Sequence, residues 1–151
     1  MQCNQEKIRA GASVNAYLIL KQNEQFLLLL RKNTGYFDGH YGLISGHVEM
    51  GESATEGMMR EAYEEAGITI KPENLKVVHI MHRRSDRLNM DVFFECDKWE
   101  GEITNCEQEK CALLEYFSPN EFPLNIIDYV LDALTAVSKK IFYSEKGWRN
   151  E

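Results

Sequence analysis

Glu61, Glu64 and Glu65 follow Arg60 within five positions, and Glu52 stands eight residues before that arginine. With about 100° per residue on a helical wheel, Glu65 falls about 40° and Glu64 about 60° to either side of Glu61, so the three carboxylates share an arc of about 100°. Like charges one turn apart repel by only about 0.2–0.5 kcal/mol, so a solvated acidic face is one reading. Two features favour a different one. The carboxylates lie toward the helix C-terminus, where the macrodipole disfavours negative charge, and they follow a glycine-bearing loop that can bring backbone close to them. A divalent cation relieves both costs. Hard oxygen donors at this density suit Mg²⁺ or Mn²⁺, with water and phosphate filling the remaining positions. Gly57 lies one turn back on the same face and puts no side chain in front of the carboxylates. Met59, Ala62, Tyr63 and Ala66 lie opposite and are expected to face the core.

Something must hold that helix in place. Ser53 suits its N-cap, with Glu56 three residues on completing a capping box, and Gly67 suits its stop. The spacing predicts a helix over 53–66. Before it, "ASVNAYLIL" reads as a strand, "KQNE" as a turn and "QFLLLLR" as a largely buried strand. "KNTGYFDGHYG" reads as a loop, "LISGHVE" as a short extended segment and Met50–Gly51 as a turn. In the loop, Tyr36, Phe37 and Tyr41 suit either packing or stacking on a base. After the helix, "LKVVHIMHR", "RLNMDVFFECDKW" and "CALLEYFS" read as strands. A last helix is expected over 125–142, with an apolar stripe at Ile127, Val130, Leu131, Leu134, Val137 and Ile141. Strands dominate and two main helices accompany them, so the fold class is α/β, a mixed β-sheet with helices packed on it. The order of the strands is not legible this way.

The chain is 151 residues long, which fits one domain over 1–151. A net charge of −7 argues against binding a nucleic-acid polymer, which needs a basic face. It leaves nucleotides open, because a bound cation reverses the local sign. No apolar run reaches membrane-span length and the first residues lack the apolar core of a secretory signal, so a cytoplasmic location without membrane attachment is expected. Cys3, Cys96, Cys106 and Cys111 form no CxxC pair and are expected to be free thiols. His79 and His82, three apart on a strand, point to opposite faces and suit ordinary polar packing better than a metal site.

The stretch Gly46–x5–Glu52–x7–Arg60–Glu61–Ala62–Tyr63–Glu64–Glu65–Ala66–Gly67–Ile68 resembles the Nudix box, G-x5-E-x7-R-E-U-x-E-E-x-G-U with U a bulky aliphatic residue. Ala62 is smaller than the residue usual at its position. "QFLLLLRK" before the box and "FFECDKWEGE" after it are similar to the MutT-like branch, and the resemblance covers about 13–134. It implies the Nudix fold, an α/β/α sandwich, and hydrolysis of a nucleoside diphosphate linked to a group X.

Carried over position by position, the resemblance makes Glu61, Glu64 and Glu65 the metal ligands, joined by the backbone carbonyl of Ser45. Arg60 and Glu52 become an ion pair orienting the helix, and Gly46 and Gly67 the structural glycines of the box. Glu107, with Glu109 as alternate, becomes a further acidic residue joining the metal shell or acting as base; the role of base stays open between it and a box glutamate. Arg31 becomes a substrate-side arginine. Asn125 becomes a reader of the purine edge, for which an N-cap on the last helix is the competing explanation. Just before the box, "LISGH" departs from the family's Pro-Gly-Gly or Pro-Ala-Gly.

The activity so implied is a Mg²⁺- or Mn²⁺-dependent pyrophosphohydrolase that releases a nucleoside monophosphate and pyrophosphate from a nucleoside triphosphate, oxidised or not. A nucleotide sugar or dinucleotide is the alternative substrate. A non-catalytic nucleotide sensor is the rival from another class, and such proteins usually lose box glutamates that this chain keeps. Family members are often homodimers, but nothing in the sequence locates an interface.

Overall fold

The structure, a computed structural model, describes residues 7–149. Cys3 lies outside them; Cys96, Cys106 and Cys111 are free. The fold is built on β1 (Ser13–Gln22), in which six consecutive residues from Asn15 to Leu20 are buried. Successive strand side chains alternate faces, so an unbroken buried run must be covered on both sides. Ala16, Leu18 and Leu20 pack into one core beneath helix α1 (Ala54–Ala66). Tyr17 and Ile19 pack into a second core beneath helix α2 (Asp128–Ser138). Two helices on opposite faces of one sheet make an α/β/α sandwich.

Among the described residues, eight strands are joined in one sheet. The main path runs β3 (Tyr41–Gly42), β2 (Gln25–Arg31), β1, β6 (Leu88–Cys96), β5 (Lys76–Arg84) and β8 (Tyr143–Lys146). Off this path β4 (Ile44–His47) pairs with β1, and β7 (Cys111–Phe117) pairs with β2. The β1–β2 hairpin turns at Asn23 and Glu24, both with positive φ (51° and 62°), as a two-residue hairpin turn of matching twist requires. Its pairing stops at Lys21–Phe26, and Asn15 to Leu18 pair antiparallel with β4 instead. β1 is therefore shared between two partners along its length, and β2 leaves it to join β7.

Three expectations need correction. The last helix is shorter at both ends than 125–142. Lys140 has φ 57°, which breaks the helix, and the chain continues as β8, pairing parallel with β5. Ile141, expected on the helix stripe, is half exposed, and so is Leu131. In α1 the buried residues are Gly57, Met58, Ala62 and Ala66, whereas Tyr63 is largely exposed. The core face is thus turned toward the carboxylate face rather than opposite it, which draws Glu61 and Glu65 partly inside. Finally, Tyr41 and Gly42 leave the loop to form the short strand β3 on β2.

β8 is held by a buried histidine. His79 on β5 bonds the Ile141 carbonyl (2.8 Å) and the Ser144 hydroxyl (2.8 Å). His82 contacts the Trp148 ring, so both histidines serve packing. Gly147, at φ 80°, lies so close that a Cβ there would run into the Arg84 carbonyl oxygen. Gly147→Ala is therefore expected to cost at least about 1 kcal/mol in stability, since it adds a clash to a left-handed backbone. Hydrogen exchange should speed up at the amides of β8 while those of α1 keep their protection; unchanged β8 protection would refute this account of the tail.

Candidate active site

α1 begins as its sequence dictates. The Ser53 side chain accepts the Glu56 N–H (3.2 Å) and Glu56 Oε2 accepts the Ser53 N–H (2.8 Å), a reciprocal capping box. Gly67 ends the helix in the left-handed region at φ 68°, its N–H donating to the Tyr63 carbonyl.

Arg60 ties this helix to the preceding loop. Its Nη2 donates to Glu52 Oε1 (2.7 Å) and its Nε to Glu52 Oε2 (3.1 Å), a fork-to-fork pair. Nη2 also donates to the His47 carbonyl (3.1 Å), while Nη1 donates to Glu61 Oε1 (2.8 Å) and Glu64 Oε2 (3.2 Å). The guanidinium and the Glu49 N–H bonded to it hold the Glu52 carboxyl well below the usual range, at about 2. Gly57 contributes here by its lack of a side chain: an added Cβ would stand 3.0 Å from Glu52 Oε1. The glycine accommodates Glu52, a role its place on the wheel did not suggest.

The three predicted ligands differ in setting. Glu64 is half exposed. Glu61 is mostly buried, and its carboxyl fills the space that a Cβ on Gly46 would take. Glu65 lies deepest, and Oε2 accepts the Ser45 N–H (3.1 Å). Burial first, and then the charges of Glu61 and Glu107, push the Glu65 carboxyl well above its ordinary range. Burial raises Glu61 as well, against the opposing pull of Arg60.

These groups share one cavity of about 690 Å³, which Arg31, Ser45, Gly46, Arg60, Glu107 and Lys110 also line. Glu107 comes from the loop before β7, anchored there by Lys110 and Cys111 N–H groups donating to its carbonyl (2.9 and 2.8 Å). Glu109 does not line the cavity; its carbonyl accepts from the Asn33 side chain (3.2 Å). Arg31 is fixed by the loop that follows it, with Nε donating to the Tyr36 carbonyl (2.8 Å) and Nη2 to the Thr34 hydroxyl (3.2 Å). Asn125 lies apart from this cavity and donates to the Gly39 carbonyl (2.8 Å). Nor does it cap the last helix, whose N-cap is Ile127 without a side-chain bond. Phe37 packs edge-on against Tyr129 and Tyr41 against Phe117, whereas Tyr36 reaches the cavity.

Among the described residues, no three His, Cys, Asp or Glu side chains are already grouped as a finished metal cage. Arg60 Nη1 supplies the positive charge between Glu61 and Glu64. The donor chemistry nevertheless fits a hard divalent cation: oxygen donors only, several carboxylates on one wall, and buried like charges that lack a full counter-charge. Sequence reasoning missed the opposite end of the cavity, where Arg83, Asn89 and Tyr129 join Asn15, Tyr17 and Tyr36. The signal was present as polar residues inside buried strands, Asn15, Asn89 and Asp91 among them.

A sequence profile of the NUDIX domain matches residues 10–137. Over 133 residues the chain is 30% identical to the ADP-ribose pyrophosphatase of Methanocaldococcus jannaschii, a match covering 87% of this chain and 72% of that one. The fold is similar to that of the MutT NUDIX hydrolase from Burkholderia pseudomallei, with a TM-score of 0.76 and 20% identity over 83% of this chain and 97% of that one. It is similar also to the MutT protein from Methanosarcina mazei Go1, with a TM-score of 0.75 and 18% identity over 89% and 98% of the two chains. Among the described residues, no helix is long and apolar enough to cross a membrane.

Two outcomes are expected of the carboxylate wall. Gly46→Ala displaces the flexible end of Glu61 rather than backbone, so Mn²⁺ affinity measured by calorimetry should fall by about tenfold or more while the melting temperature changes little. Glu65→Gln removes a buried charge, so protein prepared without divalent metal should melt higher than wild type and should lose the stabilisation that Mn²⁺ gives wild type. A lower melting temperature for Glu65→Gln without metal would contradict this reading of the wall.

Proposed function

The chain belongs to the NUDIX family and is a hydrolase of the MutT-like and ADP-ribose pyrophosphatase type; from that premise we propose that it cleaves a nucleoside triphosphate, oxidised or not, to a nucleoside monophosphate and pyrophosphate. One observation carries the reading: the wall of Glu61, Glu64 and Glu65 shares its cavity with Arg31, Lys110 and Arg87. Carboxylates for a cation, and cations that have no carboxylate partner among the described residues for phosphate oxygens, are together what a polyphosphate chain needs.

A divalent cation bound to Glu61, Glu64 and Glu65, with the Ser45 carbonyl as a further donor, would neutralise phosphate oxygens and acidify a water. The chain's own residues do the rest. Arg60 orients Glu61 and Glu64 through Nη1 and is itself oriented by Glu52. Arg31, preset by Tyr36 and Thr34, and Lys110 offset charge on the phosphates. Glu61, Glu64, Glu65 and Glu107 line the same cavity, so the base is Glu107 or a glutamate of the box, with Glu107 the member outside the box.

A second reading has its own support. The relative from Methanocaldococcus jannaschii is an ADP-ribose pyrophosphatase, which favours a nucleoside diphosphate linked to a sugar. Against it, this chain has no proline at the downstream offset that marks that branch. Retention of every box glutamate disfavours a pure sensor.

A panel of nucleoside triphosphates, nucleotide sugars and dinucleotides, with and without Mg²⁺, tests the reading. Metal-dependent pyrophosphate release from a triphosphate is expected, and Glu64→Gln should lower kcat by about a hundredfold or more with nucleotide binding kept. Nucleotide binding with no turnover of any substrate would establish the sensor instead.

A further inference from the structure

Arg83 on β5 and Asp91 on β6 form an ion pair that hydrolysis does not use. Arg83 Nε donates to Asp91 Oδ2 (2.6 Å) and Nη2 to Asp91 Oδ1 (3.3 Å), with Arg83 7% exposed and Asp91 fully buried. The row continues across the sheet. Asn15 Nδ2 donates to Asp91 Oδ1 (2.8 Å) and Asn89 Oδ1 (3.1 Å), and the Asn15 side-chain oxygen Oδ1 pairs with His47 Nδ1 (2.6 Å). Such a pair is weak evidence for stability, because well-packed apolar side chains of similar volume often serve as well. The residues two positions away on the same strand faces, Met81 and Phe93, are apolar and buried. The polar row appears where the sheet meets the cavity, which points to a ligand.

The chemistry of that ligand follows from which groups remain available. Both oxygens of Asp91 are occupied by Arg83 and Asn15, so the pair offers donors rather than acceptors. Arg83 Nη1 reaches the Tyr36 hydroxyl at 3.4 Å, Nη2 the Tyr17 hydroxyl at 3.5 Å, and Tyr17 the Tyr129 hydroxyl at 3.3 Å. All three are at the long limit of hydrogen bonding, so these donors are weakly held. One face of the guanidinium lies on the Tyr129 ring, 3.9 Å from its centroid. Asp91 neutralises the arginine, so the site has donors and aromatic walls but little net charge. That combination suits a neutral planar heterocycle rather than a further phosphate.

We propose that Arg83, with the Tyr36 and Tyr17 hydroxyls, forms the nucleobase pocket and selects bases presenting a carbonyl oxygen (guanine, uracil) over bases presenting an amino group there (adenine, cytosine). A carbonyl oxygen accepts from Arg83 Nη1. An amino group there sets donor against donor and leaves the buried Arg83 N–H unpaired, while the hydroxyls, which both donate and accept, suit either base. This rests on the nucleotide-hydrolase reading above.

The test is the ratio of kcat/KM for GTP over ATP and for UTP over CTP, measured on one preparation so that the folded fraction cancels. Wild type should favour the carbonyl base by roughly tenfold or more in each pair. Arg83→Lys keeps a cation for Asp91, and with it the fold, but loses the planar fork; its ratios should fall toward one. Wild-type ratios within threefold in both pairs, or unchanged ratios in Arg83→Lys, would overturn the proposal. If triphosphates are not cleaved, nucleotide sugars bearing the same bases supply the ratios. If nothing is cleaved, the hydrolase reading fails by itself, and calorimetry of GMP against AMP decides the pocket: tighter GMP binding, weakened by Arg83→Lys, supports it, and equal or no binding overturns it.

Discussion

The acidic half of this protein depends on how Arg60 is held. A guanidinium has five N–H donors in a rigid plane, and here they reach two oxygens of Glu52, the His47 carbonyl, Glu61 and Glu64. A loop, a strand end and the helix face are fixed to one another by a single side chain. Lysine, with a compact charge and no plane, could not span the same set. The arrangement also explains why carboxylates can crowd one helix: part of their charge is already balanced inside the fold, and the deficit is greatest at the deeper end, at Glu65.

The two-sided burial of β1 has a parallel role for the cavity. Because β1 exchanges β2 for β4 along its length, two strand ends separate near the site. Arg31 arrives from one and Ser45 to His47 from the other. The loop after Arg31 is built for rigidity: Asp38 accepts the N–H groups of Thr34 and Gly35 (3.0 and 2.9 Å), which fixes Tyr36 beside the arginine. Charge handling and base recognition thus meet on a frame of backbone hydrogen bonds.

What the sequence disclosed was local. The capping box at Ser53 and Glu56 and the stop at Gly67 depend on residues near in the chain, and each stands where spacing put it. What it hid was lateral. Asn15 is far in sequence from Asp91 and Arg83, which face each other across the β5–β6 hairpin, and it becomes their neighbour only through strand order, which periodicity does not encode. The turn of α1 that buries Met58 and exposes Tyr63 has the same origin, since the face a helix buries is chosen by the sheet beneath it. The shortening of α2 was decided by competition: residues after Lys140 extend the sheet instead of the helix.

The short tail strand has one more effect. Without it, nine residues of β5 would form the outer border of the sheet, with a row of unsatisfied backbone groups open to any passing extended chain. β8 covers Ile80 to Arg83 of that border with four residues that include Glu145 and Lys146, a poor template for strand-by-strand growth. Lys146 is in turn anchored to Asp132 on α2. Shortening the chain just after its last helix would therefore convert a shielded margin into an adhesive one, and the result would be recognised first as insolubility.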